Sequence, residues 1–487
     1  MTRFLTSKLL VMLGLMLLFV IGLGSIKGLV RERQYYHQQV MDDIGNQYVR
    51  AQSITTPFLV IPVTTQHVCP QDSRQTCPTN SQIILTPHQS TWQHQVQVRN
   101  DNYKRGIYHA ITYQDSLHGE GDFVLPAALT TSEPDRSIDW DKVELHLPIS
   151  DLRGLASPPV LDILGQSRTL DFPDNDSASD SSNSTTNQPF GTAYLETDLK
   201  LDPSHPQIPF NLHLSLNGMG NLAMIPLGQS MSMTMDADWP YPNFFGGALP
   251  QKQRDNQRFS AAWQSSYLNQ QNNQLLNLCF NGNSPASCQT LETNTAQTTT
   301  CADDDTECSH ANSKTDTAFA VGFVEGVNGY TMTDRTIKYG LIFLLITFGT
   351  FFLFEVLKRL AVHPMQYGLV AAGLGVFYLL LLSFSEHFGF AESYLGSSIA
   401  CIGLISFYVY FVLERLSRTL LLTTILSLMY GAMYVILQSE DYTLIMGSCL
   451  MFVLLAIVMI LTRKVDWYQL KSTAVSPPPL PAHTEMP

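Results

Sequence analysis

The sequence predicts a membrane α-helical bundle of six transmembrane helices, with a large β-rich domain inserted between helices 1 and 2. Three observations carry this reading. One apolar run stands alone at Leu9–Ile26, five more crowd the stretch from Ile337 to Leu461, and nearly everything polar lies between the two groups. A spanning helix needs about 20 mostly apolar residues, because the hydrocarbon core is about 30 Å thick and backbone polar groups inside it must pair with each other.

Residues 1–30 form a cytoplasmic N-terminus and a transmembrane anchor. A short basic start (Arg3, Lys8) precedes LLVMLGLMLLFVIGLGSI. A cleaved signal peptide is the competing reading, since Gly22-Leu23-Gly24-Ser25 offers small residues to a peptidase. The run is longer than a usual signal-peptide core and Lys27 follows closely, which favours an uncleaved anchor.

The polar region, residues 31–335, carries the charge. From Arg31 to Arg335 there are 17 Lys and Arg against 33 Asp and Glu, a balance of −16, so the whole of the chain's −13 resides there. An acidic domain of this kind has no means of binding nucleic acid by counterion release, and anionic lipid surfaces repel it. Three locally spaced cysteine pairs, Cys69/Cys77, Cys279/Cys288 and Cys301/Cys308, also fall in this region, while Cys401 and Cys449 lie in apolar runs. Six cysteines allow 15 pairings. The spacing does not suit paired zinc knuckles, and disulfides between near neighbours are the favoured reading over free or metal-binding thiols. Disulfides imply an oxidising compartment: periplasm, lumen or extracellular space.

Period-two alternation marks strands in this region. Arg33–Ala51 reads as a helix leaving the membrane, and Phe58–Val63 as a first strand, with Pro70–Thr76 as a polar loop between the first cysteines. Val143, Leu145 and Leu147 alternate with Lys142, Glu144 and His146. Ile208, Phe210, Leu212, Leu214 and Leu216 alternate with polar neighbours, as do Met231, Met233 and Met235. Leu216-Asn217-Gly218 and Gly119-Glu120-Gly121 read as turns between strands. Two low-complexity inserts read as surface excursions: 171–188 has too few apolar residues to offset its ordering entropy, and 264–317, rich in Gln, Asn and Thr, holds four of the six cysteines and is partly stapled by them.

Residues 336–464 read as a five-helix transmembrane bundle: Ile337–Leu357, Gln366–Ser385, Tyr394–Leu413, Leu420–Leu437 and Tyr442–Leu461. Residues 465–487 form a tail. Lys358, Arg359 and His363, then Arg415 and Arg418, then Arg463 and Lys464 mark one side, and the alternate loops hold acids without Lys or Arg. The positive-inside rule puts the basic ends and both termini in the cytoplasm, with the β-rich region outside. Lys27, Arg31, Arg33, Arg335 and Lys338 fall on the outer side against that rule.

Several runs resemble one known family. They include Phe354-Glu355-Val356-Leu357-Lys358-Arg359-Leu360, His363-Pro364-Met365-Gln366-Tyr367, Ser385-Glu386-His387, Leu437-Gln438-Ser439-Glu440-Asp441-Tyr442 and Asp466-Trp467-Tyr468 in the last third. Ile149-Ser150-Asp151-Leu152-Arg153-Gly154, Ile225-Pro226-Leu227-Gly228, Asp238-Trp239-Pro240 and Phe259-Ser260-Ala261-Ala262-Trp263 stand in the polar region. The chain is similar in these stretches to the CreD inner-membrane family. The resemblance implies a multi-pass protein of the Gram-negative bacterial inner membrane, with a periplasmic domain. It also implies a link to cell-envelope integrity, envelope-stress and β-lactam response, and no defined catalytic reaction. The two inserts and their cysteines depart from the family.

The candidate functional cluster is Glu386, His387, Gln438, Glu440 and Asp441, all expected at the outer ends of spans. A carboxylate beside a histidine can move protons or bind a cation, although loops at an interface need polar residues in any case. Glu355 sits in an apolar run, but Lys358 and Arg359 follow one turn later and suffice for a helix-end ion pair. His67, His88, His94, His109 and His118 show no ligand spacing. Asp151 and Arg153 resemble a turn held by an ion pair, and Trp239-Pro240-Tyr241-Pro242 reads as a rigid aromatic corner. No nucleophile elbow, P-loop or zinc-protease motif stands in the chain, so no catalytic, cofactor-binding or metal residue is assigned. The leading expectation is a non-enzymatic protein whose outer domain engages a periplasmic protein or envelope ligand. The alternatives are a transporter or flippase, or a membrane enzyme acting on an envelope lipid, each using the outer acidic cluster. The lipid bilayer is a partner in every case.

Overall fold

The computed structural model describes residues 2–69, 72–131, 134–172, 194–255, 257–281, 318–324, 329–358, 363–413, 415–438 and 443–463. The chain divides into two compact units: residues 1–36 with 327–487, and residues 37–326. Helix α1 runs over Thr2–Gln47.

In the second unit, the described residues form three sheets. An eight-stranded sheet has the order β15 (Gln251–Arg254), β16 (Phe259–Gln264), β13 (Ser230–Ala237), β4 (Gln89–Arg105), β5 (Tyr108–Val124), β11 (Gln207–Met219), β8 (Val160–Ile163), β9 (Gln166–Thr169). A five-stranded sheet has β10 (Tyr194–Leu199), β7 (Val143–Pro148), β2 (Phe58–Cys69) and β3 (Asp72–Leu85), with β6 (Arg136–Ile138) also on β2. A four-stranded sheet has β1 (Gln52–Thr55), β12 (Asn221–Ile225), β17 (Phe319–Phe323) and β14 (Pro242–Gly246). β13 runs parallel to β4 and β1 runs parallel to β12.

The alternating sequences sit where their period puts them. Ile208, Phe210, Leu212, Leu214 and Leu216 are buried on β11, and Met231, Met233 and Met235 on β13. They face Leu59 and Ile61 of β2, Leu145 and Leu147 of β7, and Phe319 and Val321 of β17 in one hydrophobic core. Phe58 and Val60 of β2 point the other way, into a second core with Ile225, Leu276 and Ala320.

The structure corrects four readings. Gly119-Glu120-Gly121 and Leu216-Asn217-Gly218 lie inside long strands, β5 and β11, rather than at turns. These glycines make room for aromatic rings. A Cβ on Gly119 would stand 2.1 Å from Trp92 Cζ3, and one on Gly218 would stand 2.3 Å from the Tyr113 hydroxyl. The expected loop at Pro70–Thr76 is strand from Asp72 onward, because β2 and β3 form one long hairpin, closed near its tip by a Cys69–Cys77 disulfide.

The expected excursion at 264–317 begins as helix α3, Ser266–Asn281. Leu268, Leu276 and Cys279 are buried on one face of α3, a helical stripe masked by the Gln and Asn between them. Asn272 Nδ2 donates to the Pro226 carbonyl at 2.9 Å, and the Asn273 amide both accepts from Gly228 N and donates to Gly228 O, each at 3.0 Å. Cys279 is disulfide-bonded. Cys288, Cys301, Cys308 and the insert from residue 173 to 188 lie outside the described residues.

The first unit is helical. Short α2 (Ala127–Thr130) and α3 belong to the β unit, so the later helices are α4 (Gly329–Lys338), α5 (Gly340–Lys358), α6 (Pro364–Ser385), α7 (Phe390–Leu413), α8 (Leu416–Gln438) and α9 (Thr443–Thr462). Among the described residues, α1, α6, α7 and α8 are long and apolar enough to cross a membrane, and α4 with α5 make a fifth if the pair counts as one bent span. The fourth correction is here. The expected span Ile337–Leu357 begins as a separate helix, α4, bent by 44° from α5. The break falls at Tyr339, next to Gly340, where a Cβ would stand 2.7 Å from Leu23 Cδ1 and 3.0 Å from the Tyr378 hydroxyl. α6 starts at a capping box: His363 Nδ1 accepts from Met365 N, Gln366 Oε1 accepts from His363 N, and Pro364 takes the first turn, where its missing N–H costs nothing.

The Gly119–Trp92 contact gives a direct test. Trp92 is fully buried and has nowhere to move. Gly119→Ala in the intact protein lowers stability by about 1–3 kcal/mol from overpacking. A drop in the tryptophan-fluorescence melting temperature reads this out, and an unchanged melt would show that no ring lies against Gly119.

Candidate functional site

The predicted cluster is only partly assembled by the described residues. Glu386 ends α6, its side chain 12% exposed, and it is held from two directions: Arg33 Nε lies 3.8 Å from Oε1, and the Tyr330 hydroxyl donates to Oε1 at 3.4 Å. His387 Nδ1 lies 3.3 Å from the Ser383 carbonyl of its own helix end. Gln438 is exposed, its Nε2 donating to the Tyr434 hydroxyl at 2.6 Å. Glu440 and Asp441 lie outside the described residues, as does the side chain of Glu355. The loops on this side hold no Lys or Arg of their own, and the cation beside Glu386 comes from α1. Its partner is Arg33, more than 350 residues earlier, and no local spacing reveals it. Lys338 is paired with Asp334 at 3.8 Å.

The interior of the helical unit is packed with rings. Phe343, Phe377, Tyr378, Tyr394 and Tyr430 are buried together. The Tyr394 hydroxyl donates to the Tyr430 carbonyl at 2.8 Å, Cys401 Sγ lies 3.2 Å from the Tyr430 hydroxyl, and Ser406 meets Thr423 at 2.7 Å. Polar atoms here serve mainly to join helices, which lipid tails cannot do.

In the β unit, the Ser150–Gly154 segment is a docked turn. Asp151 caps a short 3₁₀ turn, Leu152–Gly154, accepting from Arg153 N at 3.1 Å and from Arg153 Nε at 2.8 Å. Arg153 Nη1 reaches the Asn46 carbonyl at 2.7 Å. Burial opposes ionisation of Asp151, but hydrogen bonds from the Arg153 side chain, and from the Arg50 and Arg153 amides, outweigh it and hold its carboxyl below the usual range.

Three features escaped the sequence reading. His94 and Asp115 form a buried pair at 2.7 Å with both side chains fully enclosed. Their β4–β5 register joins positions 21 apart, which no ligand spacing reports. His146, expected on the wet face of β7, is 5% exposed because Tyr194 and Phe280 lie against its ring. The third is a groove of about 540 Å³ on the polar face of the eight-stranded sheet, lined by Gln89, Thr91, Glu120, Asp162, Gln207 and Asn211 among others. A second concavity of about 340 Å³, with Gln93, His118 and His213, adjoins it in the strand register.

These elements define a multi-pass helical membrane protein with a large β-rich domain between its N-terminal helix and its C-terminal helices. The family described as Inner membrane protein CreD matches residues 4–468. The Inner membrane protein CreD of Escherichia coli (strain K12) is 29% identical over 456 residues, covering 93% of this chain and 92% of that one. The chain belongs to the CreD family of inner membrane proteins. Among solved structures, an M1 zinc metallopeptidase from Deinococcus radiodurans matches 37% of this chain and 38% of its own at 8% identity, with a TM-score of 0.17. A point mutant of that peptidase matches at 7% identity and a TM-score of 0.16 over the same shares. Likeness at that level says nothing about the fold or reaction of this chain.

Two outcomes follow. The Arg33–Glu386 pair is partly solvated and is worth about 0.5–1 kcal/mol. Arg33→Glu therefore lowers the melting temperature of the intact protein in detergent, and adding Glu386→Arg restores most of the loss; no restoration would mean the two charges do not meet. The Asp151 carboxyl has a lowered folded-state pKa, so its contribution is complete above the unfolded value of about 4 and is lost as pH falls through the folded value. Asp151→Asn melts about 2–4 °C lower than wild type at pH 7, and the two curves converge as the pH falls through the lowered folded-state value.

Proposed function

We propose that this protein supports cell-envelope integrity by binding a periplasmic protein or envelope ligand through its β-rich domain, without catalysing a reaction of its own. The observation that carries this reading is the polar groove beside β4, β5 and β11, whose volume lies in the range of ligand sites. The helical unit instead fills its interior with aromatic side chains. A transporter or lipid-modifying enzyme centred on Glu386 has less support, since that carboxylate is already engaged by Arg33 and Tyr330.

The membrane arrangement that fits this role has six spans, with α4–α5 as the second and α9 as the sixth, and both termini in the cytoplasm. Lys358, Arg415, Arg418 and Arg463 then share the cytoplasmic side, and the Arg33–Glu386 pair sits at the outer end of the first and third spans. The β-rich domain stands in the periplasm, where its disulfides persist.

The test combines topology and function. A periplasm-active reporter is active after Pro250 and silent after Lys358, Arg418 and Lys464. Glu120→Arg and Gln207→Arg, in the groove, abolish complementation of an envelope-stress phenotype while the protein still accumulates. Lys142→Glu and Lys200→Glu, both highly exposed elsewhere, leave complementation intact. Full complementation by the groove variants would remove the groove from the mechanism.

A further inference from the structure

The alternation of β7 puts Glu144 and His146 on the same face, two positions apart, and the β7–β10 register sets Glu196 directly opposite His146. The three side chains converge. His146 Nε2 is 2.9 Å from Glu144 Oε2 and 3.8 Å from Glu196 Oε2, and one ligand atom from each residue lies within 4.8 Å of the other two. We propose that these residues bind a divalent transition-metal ion, with Zn²⁺ as the ion of choice.

Geometry supports the assignment first. Zinc takes nitrogen and oxygen ligands at about 2.0–2.2 Å, which places tetrahedral ligand atoms about 3.3–3.6 Å apart. The observed separations bracket that spacing. Closing the difference needs only small carboxylate rotations, and both carboxylates retain solvent access, 40% for Glu144 and 25% for Glu196.

The imidazole, by contrast, is fixed. Its side chain is 6% exposed. It stacks on Tyr194 at 4.7 Å and 16°, with Phe58 at 5.6 Å and Phe280 at 6.3 Å. A ring walled in by three aromatic side chains, with one nitrogen aimed between two carboxylates, is a preorganised ligand.

The donor set then narrows the ion. One imidazole nitrogen with two carboxylate oxygens suits zinc and its first-row neighbours. Calcium and magnesium take oxygen ligands, and copper(I) wants sulfur. Three protein ligands leave at least one coordination position open to water or to an outside donor. The bound ion ties β10, an edge strand, to β7.

The competing account is an imidazolium bridging two carboxylates, and experiment separates the two. The probe is Zn²⁺ itself, titrated calorimetrically into the intact, chelator-stripped, disulfide-bonded protein in detergent. The exposed free thiol among the described residues is removed by Cys449→Ser in every sample. The expected result is one saturable equivalent per chain at micromolar or tighter affinity, with a zinc-dependent rise in melting temperature that Ca²⁺ and Mg²⁺ do not produce. Glu144→Gln and Glu196→Gln each weaken binding at least tenfold, and the double variant loses the equivalent. Both are near-isosteric changes at solvent-accessible positions, and unchanged metal-free melts confirm that they fold. Zinc binding equal to wild type in the double variant, or no binding at 100 µM zinc, overturns the site in favour of the protonated bridge.

Discussion

The β-rich unit hangs on one buried amide. Gln52 is fully enclosed, and its side chain joins segments that the sequence scatters over 165 residues. Its Nε2 donates to the carbonyls of Asp151 at 2.9 Å and Asn217 at 3.1 Å, while its Oε1 accepts from the Ser150 hydroxyl at 3.0 Å and from Asp151 N at 3.3 Å. One side chain thus satisfies backbone groups from β11 and from the capped turn, and orders β1, which carries it. Leaving such a group unpaired costs about 1–3 kcal/mol for each polar atom, so the arrangement is held as a set. Gly154 is part of the same constraint, because a Cβ there would stand 2.2 Å from Gln52 Nε2. Arg153 extends it to the last turn of α1 through Asn46, and Arg50 N closes the ring on Asp151.

The helical unit obeys a different rule. With lipid tails as apolar as leucine, burial alone does not hold helices together, so close approach and hydroxyl pairing do. Thr333, Thr336, Thr347 and Thr350 each return their hydroxyl to a carbonyl four residues back, which removes a polar atom from the apolar phase without using a partner helix. Gly340 lets α1 and α6 reach the bend between α4 and α5. The bend lets α4, with its Asp334, Arg335 and Lys338, leave the apolar direction of α5.

What could be read in advance followed directly from period. The apolar runs announce the helices, and Ile208–Leu216 and Met231–Met235 announce strands, because alternation is a local property that tertiary structure only confirms. The misreadings came where tertiary contacts assign meaning to composition. Gly119 and Gly218 look like turn residues, yet they are strand residues opposite large rings. The Gln- and Asn-rich start of the second insert looks unstructured, yet Asn272 and Asn273 use their amides on the Pro226–Gly228 backbone. The site residues were the least legible. His94 with Asp115, His146 with Glu196, and Glu386 with Arg33 meet through register or helix packing across 21, 50 and 353 positions. Glu144 and His146 stood adjacent in the alternation, but nothing local said that their face was covered.

The position of β17 has a consequence for how the molecule is made. Its five buried residues, Phe319–Phe323, insert between β12 and β14, so the last strand among the described residues is an inner strand of its sheet. Until residue 323 emerges, β12 and β14 each present an unpaired edge, and Trp239 lacks its hydrogen-bond acceptor at Val324. β1 meanwhile must wait some 170 residues for β12, its parallel partner. Closure of this domain is therefore a late event in biosynthesis. Loop-closure entropy over such separations makes it slow, and the half-made sheet is open to wrong strand partners throughout that interval.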